Sequence, residues 1–237
     1  MVNGMYLSAS GIMTAQWQQR VTANNIANLN TPGFRASSAT ASSQPGGGAV
    51  LGSITQSQAQ GPLMPTGQPL DVATSSSGRA FFQVTLPDGN IAYTPTGRFG
   101  MDAEGFVVTS EGNRLEPPIQ VPENTTGVQV GRDGMVYATV PGGVGPEPVG
   151  RIEVATFTNP DGMEALGNGL YRATQASGAP QIMGEGVSLE PGYLEMSNVN
   201  LLQEQVNSIL NLRYTQANLK AFQQQDEILG ELLRILA

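Results

Sequence analysis

Asn24-Asn25-Ile26-Ala27-Asn28-Leu29-Asn30-Thr31-Pro32-Gly33-Phe34 closes an amphipathic N-terminal segment and stands directly before a Gly/Ser/Ala-rich run. The residue preceding a proline is pushed out of the helical region, so Thr31-Pro32-Gly33 signals the end of a helix. Upstream of it Tyr6, Ala9, Met13, Trp17 and Val21 recur at spacings of three and four, the period of a helical stripe. Met5 and Ile12 widen that stripe, while Gln16, Gln18, Gln19 and Arg20 occupy much of the remainder. The spacing predicts a helix over residues 4–28, roughly 35 Å long. A distant counterpart, Ser197-Asn198-Val199-Asn200, opens a second helical pattern. There Leu202, Val206, Ile209, Arg213, Ala217 and Ala221 step by four or three, and Ile228, Leu232 and Ile235 resume the line. This second face is more than one short helix can cover, so it is expected to be covered by other copies of the chain.

Between the two ends the pattern changes twice. Residues 36–69 are rich in Ser, Ala, Gly, Gln and Pro, with no period beyond Val50-Leu51 and Ile54, and read as an extended, partly ordered connector. Residues 70–192 read as β. Ala80 to Leu86 and Asn90 to Thr94 flank Pro87-Asp88-Gly89, and Val128 to Val130 and Met135 to Val140 flank Gly131-Arg132-Asp133-Gly134, both hairpin signals. Arg151 to Phe157 alternates as one further strand and ends at Asn159-Pro160-Asp161-Gly162. The expected fold class is mixed α and β: N- and C-terminal amphipathic helices that pair and stack with neighbours, enclosing a compact, mostly antiparallel β domain. The expected divisions are residues 1–35, 36–69, 70–192 and 193–237.

Composition removes many kinds of chemistry. The 237 residues include no Cys and no His, which excludes disulfides, the usual soft zinc ligands and His-based acid–base catalysis. The single lysine, Lys220, lies in a polar part of the last helical segment, away from any phosphate-loop or Schiff-base context. A net charge of −8 argues against nucleic acid and anionic membrane surfaces as partners. No apolar run is long enough to span a membrane, and no basic-then-apolar leader marks a cleavable signal. Asp102-x-x-Gly105 and the Asp-Gly pairs at 88, 133 and 161 suit turns better than calcium, which needs six to eight oxygens. No cofactor, metal or catalytic residue is expected. Paired carboxylates of a glycan hydrolase and a secreted β-domain adhesin are the competing classes, and neither gives the helical ends a role.

Ser8-x-x-Gly11 followed by Asn24 to Phe34 resembles the N-terminal signature of bacterial flagellar rod and hook proteins. The resemblance continues through Pro69-Leu70-Asp71-Val72-Ala73, Phe81-Phe82-Gln83-Val84, Tyr93-Thr94-x-x-Gly97-x-Phe99 and Ala155-Thr156-Phe157-x-Asn159-Pro160-x-Gly162. It ends with Gly192-Tyr193-Leu194-Glu195-x-Ser197-Asn198-Val199-Asn200. The resemblance implies a structural, non-enzymatic subunit of the basal-body rod, exported unfolded through the flagellar export apparatus without a cleaved signal. It implies ends that are mobile in the monomer and order on assembly. Its partners would be copies of itself, other rod and hook subunits and the bushing-ring proteins, with no membrane insertion.

The middle and C-terminal motifs are most similar to the distal segment of the rod. The short connector, and Thr215-Gln216 where the family has Tyr-Glu, keep the proximal segment as the alternative. The residues expected in subunit contacts are Tyr6, Met13, Trp17, Val21, Asn25, Asn28, Asn198, Leu202, Val206, Ile209, Arg213, Ala217, Ile228, Leu232 and Ile235. Among them Asn25 and Asn28 are expected to make hydrogen bonds across a subunit boundary.

Overall fold

The computed structural model describes residues 2–45, 47–75, 80–143, 145–183 and 188–236, so that Gly46 of the triple-glycine run lies outside them. The chain divides into two compact units. One is made of Met1–Leu29, Ala36–Ser57 and Val199–Ala237, the other of Asn30–Arg35 and Gln58–Asn198.

The first unit holds two helices and a hairpin. Helix α1 spans Val2–Ala27 and helix α2 spans Leu201–Leu236. Helix α1 ends in a run of amides: the Asn28 N–H reaches the carbonyls of both Asn24 and Asn25, and the Leu29 N–H that of Ile26. Helix α2 begins at a cap. Asn200 Oδ1 accepts the Gln203 N–H at 3.2 Å, satisfying a donor that the first turn leaves without a partner. With no proline in its 36 residues, α2 runs on for roughly 54 Å.

Residues 36–69, expected to be an extended, partly ordered connector, hold an antiparallel hairpin that the sequence reading did not place. Strand β1 (Ser37–Ser43) pairs with strand β2 (Ala49–Gln56), with a register shift between Ala39 and Ala41. The hairpin hid from the sequence because it seats on α1 through hydroxyls and backbone rather than through an alternating apolar face. Thr14 Oγ1 donates to Ala49 O at 3.0 Å, the Ala49 N–H donates to Ser10 Oγ at 3.3 Å, and Gln18 Nε2 donates to Ala39 O at 3.4 Å.

The second unit is the β domain. Its central strand, Ala80–Thr85, pairs with Ile91–Thr94 on one side and with Arg114–Leu115 and Val154–Thr156 on the other. Successive side chains of a strand point to opposite faces. Phe82 therefore joins a large apolar core with Val84, Phe99, Val107, Leu115, Val136 and Leu189, while Phe81 joins a second cluster with Tyr93, Phe157 and Tyr171. The second cluster packs edge to face, with Tyr93 and Phe157 ring centroids 4.9 Å apart. Both expected hairpins form, with Thr85 opposite Ile91 and Val130 opposite Val136.

Two expectations within this unit change. Arg151 to Phe157 is not one strand: Glu147–Arg151 pairs with Met135–Thr139, whereas Val154–Thr156 pairs with the central strand. The break falls at Ile152, whose N–H turns to Gly134 O. The C-terminal segment expected to be helical from residue 193 begins as β, since Tyr193–Glu195 pairs with Leu63–Pro65, and the helix waits until Leu201.

Candidate assembly surface

Within the first unit the two helices meet along a seam of small and polar residues. On α1, Ser8, Ala15, Thr22 and Asn25 are buried, and Gly4 and Gly11 continue the same face. These positions alternate in steps of four and three, the heptad period of helices lying side by side. On α2 the facing positions are Glu204, Asn211, Asn218 and Gln225, a strict spacing of seven. The register is antiparallel. A Cβ built on Gly4 would lie 2.6 Å from Gln225 Nε2, and one on Gly11 would lie 2.7 Å from Asn218 Oδ1. The two glycines are thus the floor on which two amides rest. Further along, Gln19 Nε2 donates to Ser208 Oγ at 2.9 Å.

Asn25 closes this seam. Its Nδ2 carries two hydrogens, one given to Ser37 O at 2.7 Å and one to Glu204 Oε1 at 2.8 Å. Its Oδ1 accepts the Ser37 N–H at 2.9 Å. One fully buried amide thereby pairs with β1 as a neighbouring strand would, while also holding a carboxylate of α2. The amides expected in subunit contacts also bond within the chain. Asn25 bonds inside its own chain, Asn28 Nδ2 donates to Asn24 O, and Asn198 Nδ2, in the β unit, donates to Ala59 O at 2.7 Å. The Asn25 amide, fully buried, has both hydrogens committed within its own chain.

The apolar residues lie elsewhere on the same helices. Tyr6, Met13 and Trp17 of α1 are exposed, as are Leu202, Val206, Ile209, Ile228 and Ile235 of α2. Leu202 is 74 % and Ile235 79 % exposed, values that no globular core would leave. Arg213 and Ala217 are exposed too, while Val21 and Leu232 are half-buried. The Arg20 guanidinium lies 4.8 Å from the Trp17 ring centroid and shields part of it by a cation–π contact. The seam residues Gly4, Ser8, Gly11, Asn211, Asn218 and Gln225 were not among the expected sites. Their signal is present in the sequence as a heptad of small residues facing a heptad of amides, and an apolar-only search passes over it.

A cavity of about 630 Å³ in the first unit is lined by both polar and apolar residues, among them Gln18, Val21, Thr22, Glu204, Leu210 and Tyr214. Its carboxylate, Glu204, is held by Asn25. In the β unit, Asp102 is occupied by its own turn, with Oδ1 accepting the amides of Glu104 and Phe106 and Oδ2 facing Arg114 at 3.1 Å. Desolvation alone would raise its pKa, but the Phe106 amide and the Arg114 guanidinium bring it below the ordinary value. Among the described residues no three His, Cys, Asp or Glu gather as metal ligands, and no helix is long and apolar enough to cross a membrane.

Three family models match separate stretches of the chain. The family model for flagella basal body rod proteins matches residues 5–35, and that for the D1 domain of flagellar hook protein FlgE/F/G matches residues 77–138. The C-terminal model of flagellar basal body rod FlgEFG proteins matches residues 190–235. The flagellar basal-body rod protein FlgG of Buchnera aphidicola subsp. Acyrthosiphon pisum is 36 % identical over 99 % of this chain and 100 % of its own length. FlgG of Caulobacter vibrioides is 34 % identical over 94 % of this chain and 95 % of its own. FlgF of Salmonella typhimurium is 30 % identical over 93 % and 92 %.

Proposed function

The chain belongs to the family of flagellar basal-body rod proteins, and we propose that it is a structural subunit of the distal part of the rod. The observation that carries this reading is the inversion in the helical unit: polar groups meet at its seam while Tyr6, Met13, Trp17, Leu202, Val206, Ile209, Ile228 and Ile235 face outward. Such faces are completed by equivalent helices of neighbouring copies. A repeating head-to-tail contact that does not close gives an open helical filament, the form a shaft requires. Val21, Arg213, Ala217 and Leu232 flank the proposed contacts. The rod then transmits torque from motor to hook by stiffness, with no turnover. Other rod and hook subunits, the export apparatus and the bushing rings are its proposed partners, reached by export without a cleaved signal.

The distal level is favoured because relatives called FlgG match at up to 36 % identity, against 30 % for the FlgF relative. A proximal subunit is the second reading. The assembly reading is tested by placing a charge on each exposed face, Trp17→Asp and Ile209→Asp. Both variants are expected to abolish polymerisation in sedimentation and motility in cells, while amide hydrogen exchange of Phe82 and Val84 in the β unit stays native. Polymerisation equal to that of the unaltered chain would overturn it.

A further inference from the structure

Among the described residues of the β unit the largest fully buried side chain is not apolar but Arg35, 1 % exposed and paired with Glu195, 3 % exposed, at 3.0 Å. Neither residue belongs to either apolar core. Further bonds tie both side chains to the backbone of residues 58–61, and backbone bonds join the neighbouring segments. Arg35 Nη1 donates to the carbonyls of Gln58 and Ala59, and Glu195 Oε1 accepts the Gly61 N–H at 3.1 Å. The Gly33 N–H donates to Glu195 O at 2.8 Å, the Met196 N–H to Pro62 O at 2.9 Å and the Asn198 N–H to Phe34 O at 3.3 Å.

These are the segments by which the chain passes in and out of this unit: 30–35, 58 onward, and up to 198. They lie backbone against backbone. A Cβ on Gly61 would sit 1.9 Å from Met196 O, and Gly33 is in the left-handed region at φ 67° beside Thr96. So close an approach leaves no room for apolar side chains to fix the segments, and the ion pair with its backbone bonds does that work. A buried ion pair contributes little net stability, because desolvation of both charges offsets their attraction, yet it is demanding in geometry.

We infer that the Arg35–Glu195 pair is a fastening that sets the path of the three crossing segments together, rather than a stabiliser of the β core. Loosening it releases all three at once, although residues 35 and 195 are far apart in sequence. The fastening does not depend on the assembly reading, and it is testable in the unassembled full-length chain.

The test compares amide hydrogen exchange in the double variant Arg35→Met/Glu195→Leu with that in the unaltered chain. The amides of Gly33, Gly61, Met196 and Asn198 are expected to exchange about 100-fold faster, while those of Phe82 and Val84 keep their protection, the signature of local rather than global opening. Equal acceleration at Phe82 and Val84 would make the pair a core stabiliser and overturn the inference, as would unchanged exchange at the four crossing amides. Should the double variant fail to fold, Glu195→Gln retains the shape and an acceptor for Gly61. It is expected to give the same pattern at smaller amplitude, and loss of protection throughout would again overturn the inference.

Discussion

The β unit and the helical unit bury opposite kinds of residue. The β unit places Phe81, Phe82, Val84 and Val136 out of water, with polar groups such as Asp71, Gln83 and the Arg35–Glu195 pair buried beside a mainly apolar interior. The helical unit places Ser8, Thr22, Asn25, Glu204 and Asn211 inside and leaves Trp17, Leu202 and Ile209 in solvent. Hydrophobic burial is the main favourable term in folding, so the β unit carries its own driving force and the helical unit draws most of its own from what covers it. A polar seam contributes register instead: amides over glycines and an asparagine with every hydrogen committed accept one alignment only. The same chain thus contains a part that is finished and a part that is prepared.

The comparison can be broken most forcefully at the β core. Phe82→Ala is expected to cost about 3–5 kcal/mol, measured by denaturant unfolding, by removing the ring that packs edge to face on Phe99. Far less loss would mean that this core is not what holds the unit. In the helical unit, Asn25→Ala leaves the Ser37 N–H and carbonyl without their partner and should cost about 1–3 kcal/mol. Asn25→Asp should cost more, because it sets a carboxylate against Glu204. Both should appear as faster exchange in β1 and the C-terminal half of α1, with the β unit unaffected.

Gly11→Ala should destabilise the seam by about 1 kcal/mol, since the Asn218 amide must yield to the new methyl. Adding Asn218→Ala should restore most of that loss in a double-mutant cycle, and strict additivity would mean that the two do not touch. The smallest effect concerns pH. Burial raises the Glu195 pKa above its ordinary 4.5 despite the opposing Arg35. The native state therefore holds this proton more tightly than the unfolded chain. Its contribution is present below pH 4.5 and is lost as pH rises through the raised value. Glu195→Gln should flatten the dependence of unfolding free energy on pH in that window.

How much of this could be read from the residues follows from the same contrast. Helices and hairpins whose apolar residues keep a period were legible, as Phe81-Phe82-Gln83-Val84 and the Pro87-Asp88-Gly89 turn show. The hairpin of residues 37–56 was not, because Ser, Thr and Ala hold it through hydroxyls and backbone, which carry no hydrophobic period. The outward stripe of α1 was legible as a stripe, but its direction was not: period shows that a face exists and leaves open whether it meets the chain's own second helix or another molecule. The roles of Asn25 and Asn198 depended on partners at Glu204 and Ala59, distances along the chain that no local pattern reports.

The helical unit is assembled from three pieces of chain, with Met1–Leu29 at one end and Val199–Ala237 at the other. Helix α1 is the first element of the sequence, yet the residues that seat it, from Glu204 to Gln225, lie among the last. Contacts of such long range form slowly, because the whole intervening loop must be closed before they repay its entropy. The β unit, nearly continuous from Gln58 to Asn198, is under no such delay. Order of completion is therefore written into the connectivity: the inner fold matures early, and the helical pair stays open until the last stretch of chain arrives.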